Sequence, residues 1–154
     1  SPTVQVNKTT VELKKLTIQV VDSLRLQAEN KQITLHTELD DVTTTTDSSL
    51  VIQILDNLLS NAIKFSYPET SITVRVTHEQ QNCRLEVADQ GPGIRADEMP
   101  KLFKKFQKLS ARPTNGEGST GLGLSIVKKY AEALGGKVWC ESTPGQGARF
   151  IVEI

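Results

Sequence analysis

Between Asp47 and Phe65 the apolar residues fall in adjacent pairs every four positions: Leu50-Val51, Ile54-Leu55, Leu58-Leu59 and Ala62-Ile63. At 3.6 residues per turn these pairs merge into one wide stripe, so the segment predicts a long helix whose face must be covered. Asp47 stands where an N-cap carboxylate belongs. A helix this one-sided demands a partner layer of sheet or further helices, and it rules out an all-β architecture.

The rest of the chain supplies that layer. After a short extended start, Leu13, Leu16, Val20 and Leu24 recur at three- and four-residue steps, predicting a helix through about residue 29. Ile33, Leu35, Thr37 and Leu39 alternate with Thr34, His36 and Glu38 as a strand does, and Ile72/Val74/Val76 and Cys83/Leu85/Val87 repeat the pattern. A short helix is expected over about 96–106, then a polar, glycine-containing stretch over about 107–119. Another helix follows over about 121–134, stopped by Gly135-Gly136. Trp139-Cys140 and Phe150/Val152/Ile154 mark two last strands, joined through a Pro144-Gly145 turn. Strands that follow one another directly pair antiparallel, and the element order does not alternate as a doubly wound fold would. The expected class is α+β: a two-layer sandwich of a mixed, mainly antiparallel sheet covered on one face by three main helices.

Composition narrows the function. Lys plus Arg equals Asp plus Glu at 18 each, so no net basic surface suits nucleic acid or an anionic membrane. The two cysteines, Cys83 and Cys140, form no CxxC or Cys/His cluster and read as free thiols of a reducing, cytoplasmic setting. No apolar run approaches the roughly 18 residues of a membrane span.

Three segments carry chemistry. Asn57, Asn61 and Lys64 are spaced four and three apart and share one helix stripe, off the centre of the buried face. Taken alone, the stripe reads first as a solvated helix face; two carboxamides and an ammonium also offer oxygens to a hard cation and a donor to phosphate. Asp89, in Asp89-Gln90-Gly91-Pro92-Gly93-Ile94, has the parity of Cys83, Leu85 and Val87 and is expected to point inward. An inward carboxylate needs a strong donor, which a purine's exocyclic amine provides, although a capped Gly-Pro turn explains the same residues. Finally, Gly116, Gly118, Gly121 and Gly123 run straight into a helix, where backbone N–H groups suit phosphate. No strand precedes their GxGxxG, so it is not a dinucleotide fingerprint, and Leu122 stands where a P-loop requires Lys.

In this order the segments resemble the boxes of histidine-kinase catalytic domains, members of the gyrase–heat-shock chaperone–kinase–mismatch-repair ATPase superfamily with the Bergerat fold. The N box resembles Asp56 to Phe65 and the first glycine box Asp89 to Ile94. The F box resembles Leu102 to Phe106, and the later glycine boxes Thr120 to Leu124 and Gly145 to Phe150. The resemblance spans essentially the whole chain and implies an enzyme that binds ATP and Mg2+. It implies Asn61 as magnesium ligand, Lys64 as the residue reaching the phosphates, and Phe65 as an aromatic beside the nucleotide. Asp89 is implied as the carboxylate that reads the adenine amine, and Gly91, Gly93 and Ile94 as further nucleotide-binding positions. Residues from Phe103 to Ser119, including Lys108, correspond to an ATP lid, closed by the phosphate-contacting turn Thr120, Gly121, Leu122, Gly123 and Leu124.

Asn57, Lys64 and Lys108 are the expected catalytic positions. Asn57 matches a glutamate that activates water in the ATPase relatives; an amide has no useful basicity, which favours transfer over hydrolysis. Lys108 replaces a frequent arginine, and Ala148 a usual Thr or Ser. The implied partners are a helical dimerisation/phosphoacceptor domain and a downstream response regulator, with no nucleic acid and no direct membrane contact. Residues 1–154 are expected to form one ATP-binding catalytic domain, with the dimerisation domain lying outside the chain. His36 and His78, the only histidines, sit at polar strand positions and read as surface residues. Competing readings are a nucleotide-gated interaction module without transfer and a serine kinase or ATPase of the same superfamily.

Overall fold

The computed structural model describes residues 3–105 and 123–154. Its elements are β1 (Thr9–Glu12), α1 (Leu13–Asn30), β2 (Thr34–Leu39), β3 (Thr43–Thr46), α2 (Ser48–Phe65), β4 (Ser71–Glu79) and β5 (Asn82–Ala88). A 3-10 helix (Ala96–Lys101), α3 (Gly123–Ala133), β6 (Lys137–Ser142) and β7 (Ala148–Glu153) complete them. The main sheet has the order β2-β4-β5-β7-β6; only β2 and β4 run parallel, and the other neighbours are antiparallel. β1 and β3 form a separate antiparallel pair, Thr9 opposite Thr46. The α+β sandwich with a mainly antiparallel sheet is therefore the observed fold.

Strand parity decides which face is covered. Ile72, Val74 and Val76 of β4, Leu85 and Val87 of β5, and Phe150 and Val152 of β7 are all buried beneath the helices. Ile54, Leu55, Leu58, Leu59 and Ile63 of α2 meet them, each at most 1 % exposed. Burying one such side chain contributes about 1.5–3 kcal/mol, so the paired stripe anchors the fold. Cys83 is buried and free, and Cys140 is half-buried and free. On the sheet's other face Glu86 is covered by arginines from neighbouring strands: Arg75 lies 2.6 Å and Arg149 2.6 Å from its carboxylate. Burial alone would raise the Glu86 carboxyl; the bonds from Arg149 and Arg75 outweigh it and hold it below its ordinary value.

Asp47 caps α2 as the sequence predicts, its Oδ1 accepting from Leu50 N at 3.1 Å. Its Oδ2 also accepts from Asn7 N at 2.8 Å, tying the incoming chain to the same helix. That bond, followed by burial working against it and by the helix amides, leaves the Asp47 carboxyl below its ordinary 3.8. Asp47→Ala is expected to destabilise by about 1–2 kcal/mol near neutral pH. A depressed folded pKa gives stability that is present above 3.8 and lost as pH falls through the folded value. Thermal melts of the two proteins should therefore converge on acidification below pH 3.8.

The short helix expected over about 96–106 is, among the described residues, a 3-10 helix over Ala96–Lys101 with Pro100 inside it. Proline lacks the N–H that an i−4 carbonyl would accept and its ring crowds that carbonyl, so a regular α-helix does not run through it. Leu102 and Phe103 beyond it still turn inward: Leu102 is buried, and the Phe103 ring meets Phe150 edge-on at 6.3 Å.

Candidate functional site

The C-terminal half of α2, the loop after β5, the β6–β7 turn and the start of α3 converge on one region. Asn57, Asn61 and Lys64 are all half-buried along α2, at the margin between its covered face and solvent. Asn57 Nδ2 donates to Gln53 O one turn back at 2.8 Å, which leaves Oδ1 as its outward atom. A Cβ built on Gly123 would stand 3.4 Å from that Oδ1, so the first residue of α3 abuts Asn57. The amides of a helix's first turn have no partners within the helix and carry partial positive charge. Polar oxygens on α2 and the positive end of α3 thus face one space. Leu124, one residue on, packs its side chain onto the core.

Asp89 sits at the end of β5, half-buried. Its Oδ1 accepts from Gly91 N at 2.9 Å and Ala148 N at 3.1 Å, and its own N donates to Ala148 O at 2.9 Å. Two backbone amides thus meet the inward carboxylate on one oxygen, while Oδ2 makes no hydrogen bond to a described residue. Burial pushes the carboxyl above its ordinary 3.8, and the bonds from Gly91 and Ala148 offset part of that rise. A raised folded pKa means that Asp89 favours the fold below 3.8 and loses that contribution as pH rises through the folded value. At neutral pH the carboxylate burdens the fold, the signature of a group kept for something other than stability.

The glycines beside it make close approach possible, though their near neighbours are backbone. A Cβ on Gly91 would lie 2.5 Å from Phe65 O, the end of α2. On Gly93, at φ 74°, it would lie 2.4 Å from Thr143 O in the β6–β7 connection. Ile94, buried, donates its N–H to Ser142 Oγ at 2.9 Å, and Ser142 in turn donates to Gly147 O at 2.8 Å. The Asp89–Ile94 loop is therefore wedged between the end of α2 and the β6–β7 turn. Ser142 was not among the sequence's candidates; it shares the inward parity of Cys140 and could have been found from that.

The structure brings together Asn57, Asn61, Lys64, Phe65, Asp89, Gly91, Gly93, Ile94, Gly123 and Leu124, with Phe103 packed on the core nearby. Lys108, Thr120, Gly121 and Leu122 lie outside the described residues. Among the described residues no cluster of His, Cys, Asp or Glu could hold a metal by itself. On this stretch of α2 the carboxamides of Asn57 and Asn61 offer oxygens of the kind that suit a hard cation. No helix among the described residues is long and apolar enough to cross a membrane.

Comparison with known proteins agrees with this geometry. The model of the histidine kinase-, DNA gyrase B- and HSP90-like ATPase family matches residues 46–154. The circadian input-output histidine kinase CikA of Synechococcus elongatus is 39 % identical over 147 residues, covering 92 % of this chain and 19 % of CikA. The chain thus spans about a fifth of that relative's length. The full-length ShkA structure in complex with AMPPNP superposes with a TM-score of 0.86 at 29 % identity, covering 99 % of this chain and 32 % of ShkA. Histidine kinase ThkA, in complex with response regulator protein TrrA, gives 0.81 at 28 % identity over 97 % of this chain and 42 % of ThkA. With the N-box helix, the inward Asp89 and the start of α3 arranged as described, this chain belongs to the histidine kinase-, DNA gyrase B- and HSP90-like ATPase family, as an ATP-binding catalytic domain of the sensor histidine kinase type.

Proposed function

We propose that the domain binds Mg-ATP between α2, Asp89 and the N-terminus of α3 and donates the γ-phosphate to a histidine on a separate helical dimerisation domain. A response regulator would then take the phosphate onward, a reading supported by the structure of the similar kinase ThkA in complex with response regulator protein TrrA. The single observation that carries the reading is Asp89, a carboxylate burdened by burial, with one oxygen held by two amides and the other without a described partner. An adenine amine is the donor this oxygen lacks.

The roles follow from the residues. Asp89 orients the base, and Phe65 at the end of α2 flanks it. Lys64 and the amides at the start of α3 neutralise phosphate charge, with Lys108 and the turn at Thr120, Gly121 and Leu122 contributing from the lid side. Magnesium would be held by the Asn61 oxygen together with the phosphates, supplying further charge neutralisation. Asn57 cannot take a proton from water, so the site positions and stabilises rather than hydrolyses. The base for the receiving histidine belongs to the partner domain. Dependence on the cellular ATP pool supports a cytoplasmic location for the domain.

Asp89→Asn tests the reading. The amides of Gly91 and Ala148 hold the oxygen, so the substituted NH2 points where the free carboxylate oxygen stood. A donor then meets the adenine amine, and ATP affinity should fall by about tenfold or more, while GTP, with a 6-oxo group, loses less. Calorimetry showing equal losses for ATP, GTP and inorganic triphosphate would remove Asp89 from base recognition.

A further inference from the structure

Lys31, at the end of α1, is only 6 % exposed, an unusual place for an ammonium. Its Nζ donates to Ile63 O and to Lys64 O, both at 2.8 Å, in the last turn of a different helix. Those carbonyls belong to the four that α2 cannot satisfy internally, at the negative end of its dipole. The same corner is tied again by Glu69 N donating to Gln32 O at 2.8 Å. From the opposite side, the next carbonyl of the turn, Phe65 O, is walled by Gly91. Water or a C-terminal glycine would satisfy those carbonyls without burying a charge. What Lys31 adds is a fixed geometry for the turn that carries Lys64.

We propose that Lys31 is a positioning residue for the nucleotide's phosphates: by bonding Ile63 O and Lys64 O it fixes the last turn of α2 and so where Lys64 is presented. The inference rests on the reading of Lys64 as a phosphate contact. Phe65 keeps its own wall at Gly91, so the phosphate end of the site depends on Lys31 more than the base end does.

The test measures Mg-ATP and adenosine affinities for the unsubstituted domain, Lys31→Met, Lys64→Ala and the double variant. Lys31→Met should weaken Mg-ATP about tenfold and adenosine by no more than about twofold, and should add nothing once Lys64 is Ala. Lys31→Arg, which retains donors and charge, should recover most of the ATP-over-adenosine ratio. If Lys64→Ala lowers that ratio and Lys31→Met does not, or if their effects add, the positioning role is wrong while the site stands. If Lys64→Ala leaves the ratio unchanged, the phosphate role of Lys64 fails and this inference with it. Should Lys31→Met not fold, Lys31→Gln takes its place: its neutral amide is one bond shorter and cannot bridge both carbonyls as Nζ does, so an unchanged ratio there overturns the proposal equally.

Discussion

Asn61→Ala is expected to remove the magnesium-dependent part of ATP affinity, on the order of a hundredfold, while leaving the fold in place. Both halves follow from where Asn61 sits. It is half-buried on the polar margin of α2, and its side chain makes no hydrogen bond to a described residue, so truncation orphans no buried partner. Alanine is also the better helix former, by up to about 0.7 kcal/mol, so the melting temperature should hold or rise slightly. The carboxamide oxygen is what disappears, and a hard cation between protein and phosphates loses its ligand. Calorimetry with magnesium and with a chelator reads this directly. Unchanged Mg-ATP binding in the variant would overturn the metal assignment.

Gly147→Ala should act in the opposite way, through stability first. Gly147 has φ 82°, where an L side chain costs about 1–2 kcal/mol. A Cβ there would also stand 2.1 Å from Asp89 O, a backbone atom with no freedom to yield. Together the expected loss is about 3–5 kcal/mol, read from denaturant midpoints. The displaced strand end carries Ala148 N, one of the two amides on Asp89 Oδ1, so nucleotide affinity should weaken even under conditions where the variant remains folded. A variant as stable as the parent would show that the turn relaxes freely and that Asp89 is not held as described.

What was legible in the sequence followed from periodicity. The paired apolar residues of α2 and the alternation in β4, β5 and β7 gave the layers, and the inward parity of Asp89 gave its position. Other features had no periodic signal. β3 is four threonines, and identical side chains carry no alternation, so nothing in the pattern signals its pairing with Thr9 to Glu12 of β1. Glu86 lies on the polar parity of β5 yet is buried, because Arg75 from the paired strand β4 and Arg149, 63 positions along the chain, both cover it. Lys31 reads locally as a cation ending α1, whereas it serves α2, 32 positions away. The glycines of the Asp89 loop suit close approach of backbone to a ligand, whereas the atoms packed against them are the Phe65 and Thr143 carbonyls. Such neighbours are set by tertiary packing, which local patterns do not encode.

Transfer of the γ-phosphate to a histidine on another domain can be followed from labelled nucleotide. Its most direct test mixes this domain with a helical histidine-bearing dimerisation domain and γ-labelled ATP. Label is expected on the partner, stable in alkali and labile in acid as a phosphohistidine is, and absent with Asn61→Ala. Label released only as inorganic phosphate, or fixed as an acid-stable phosphoserine, would contradict it.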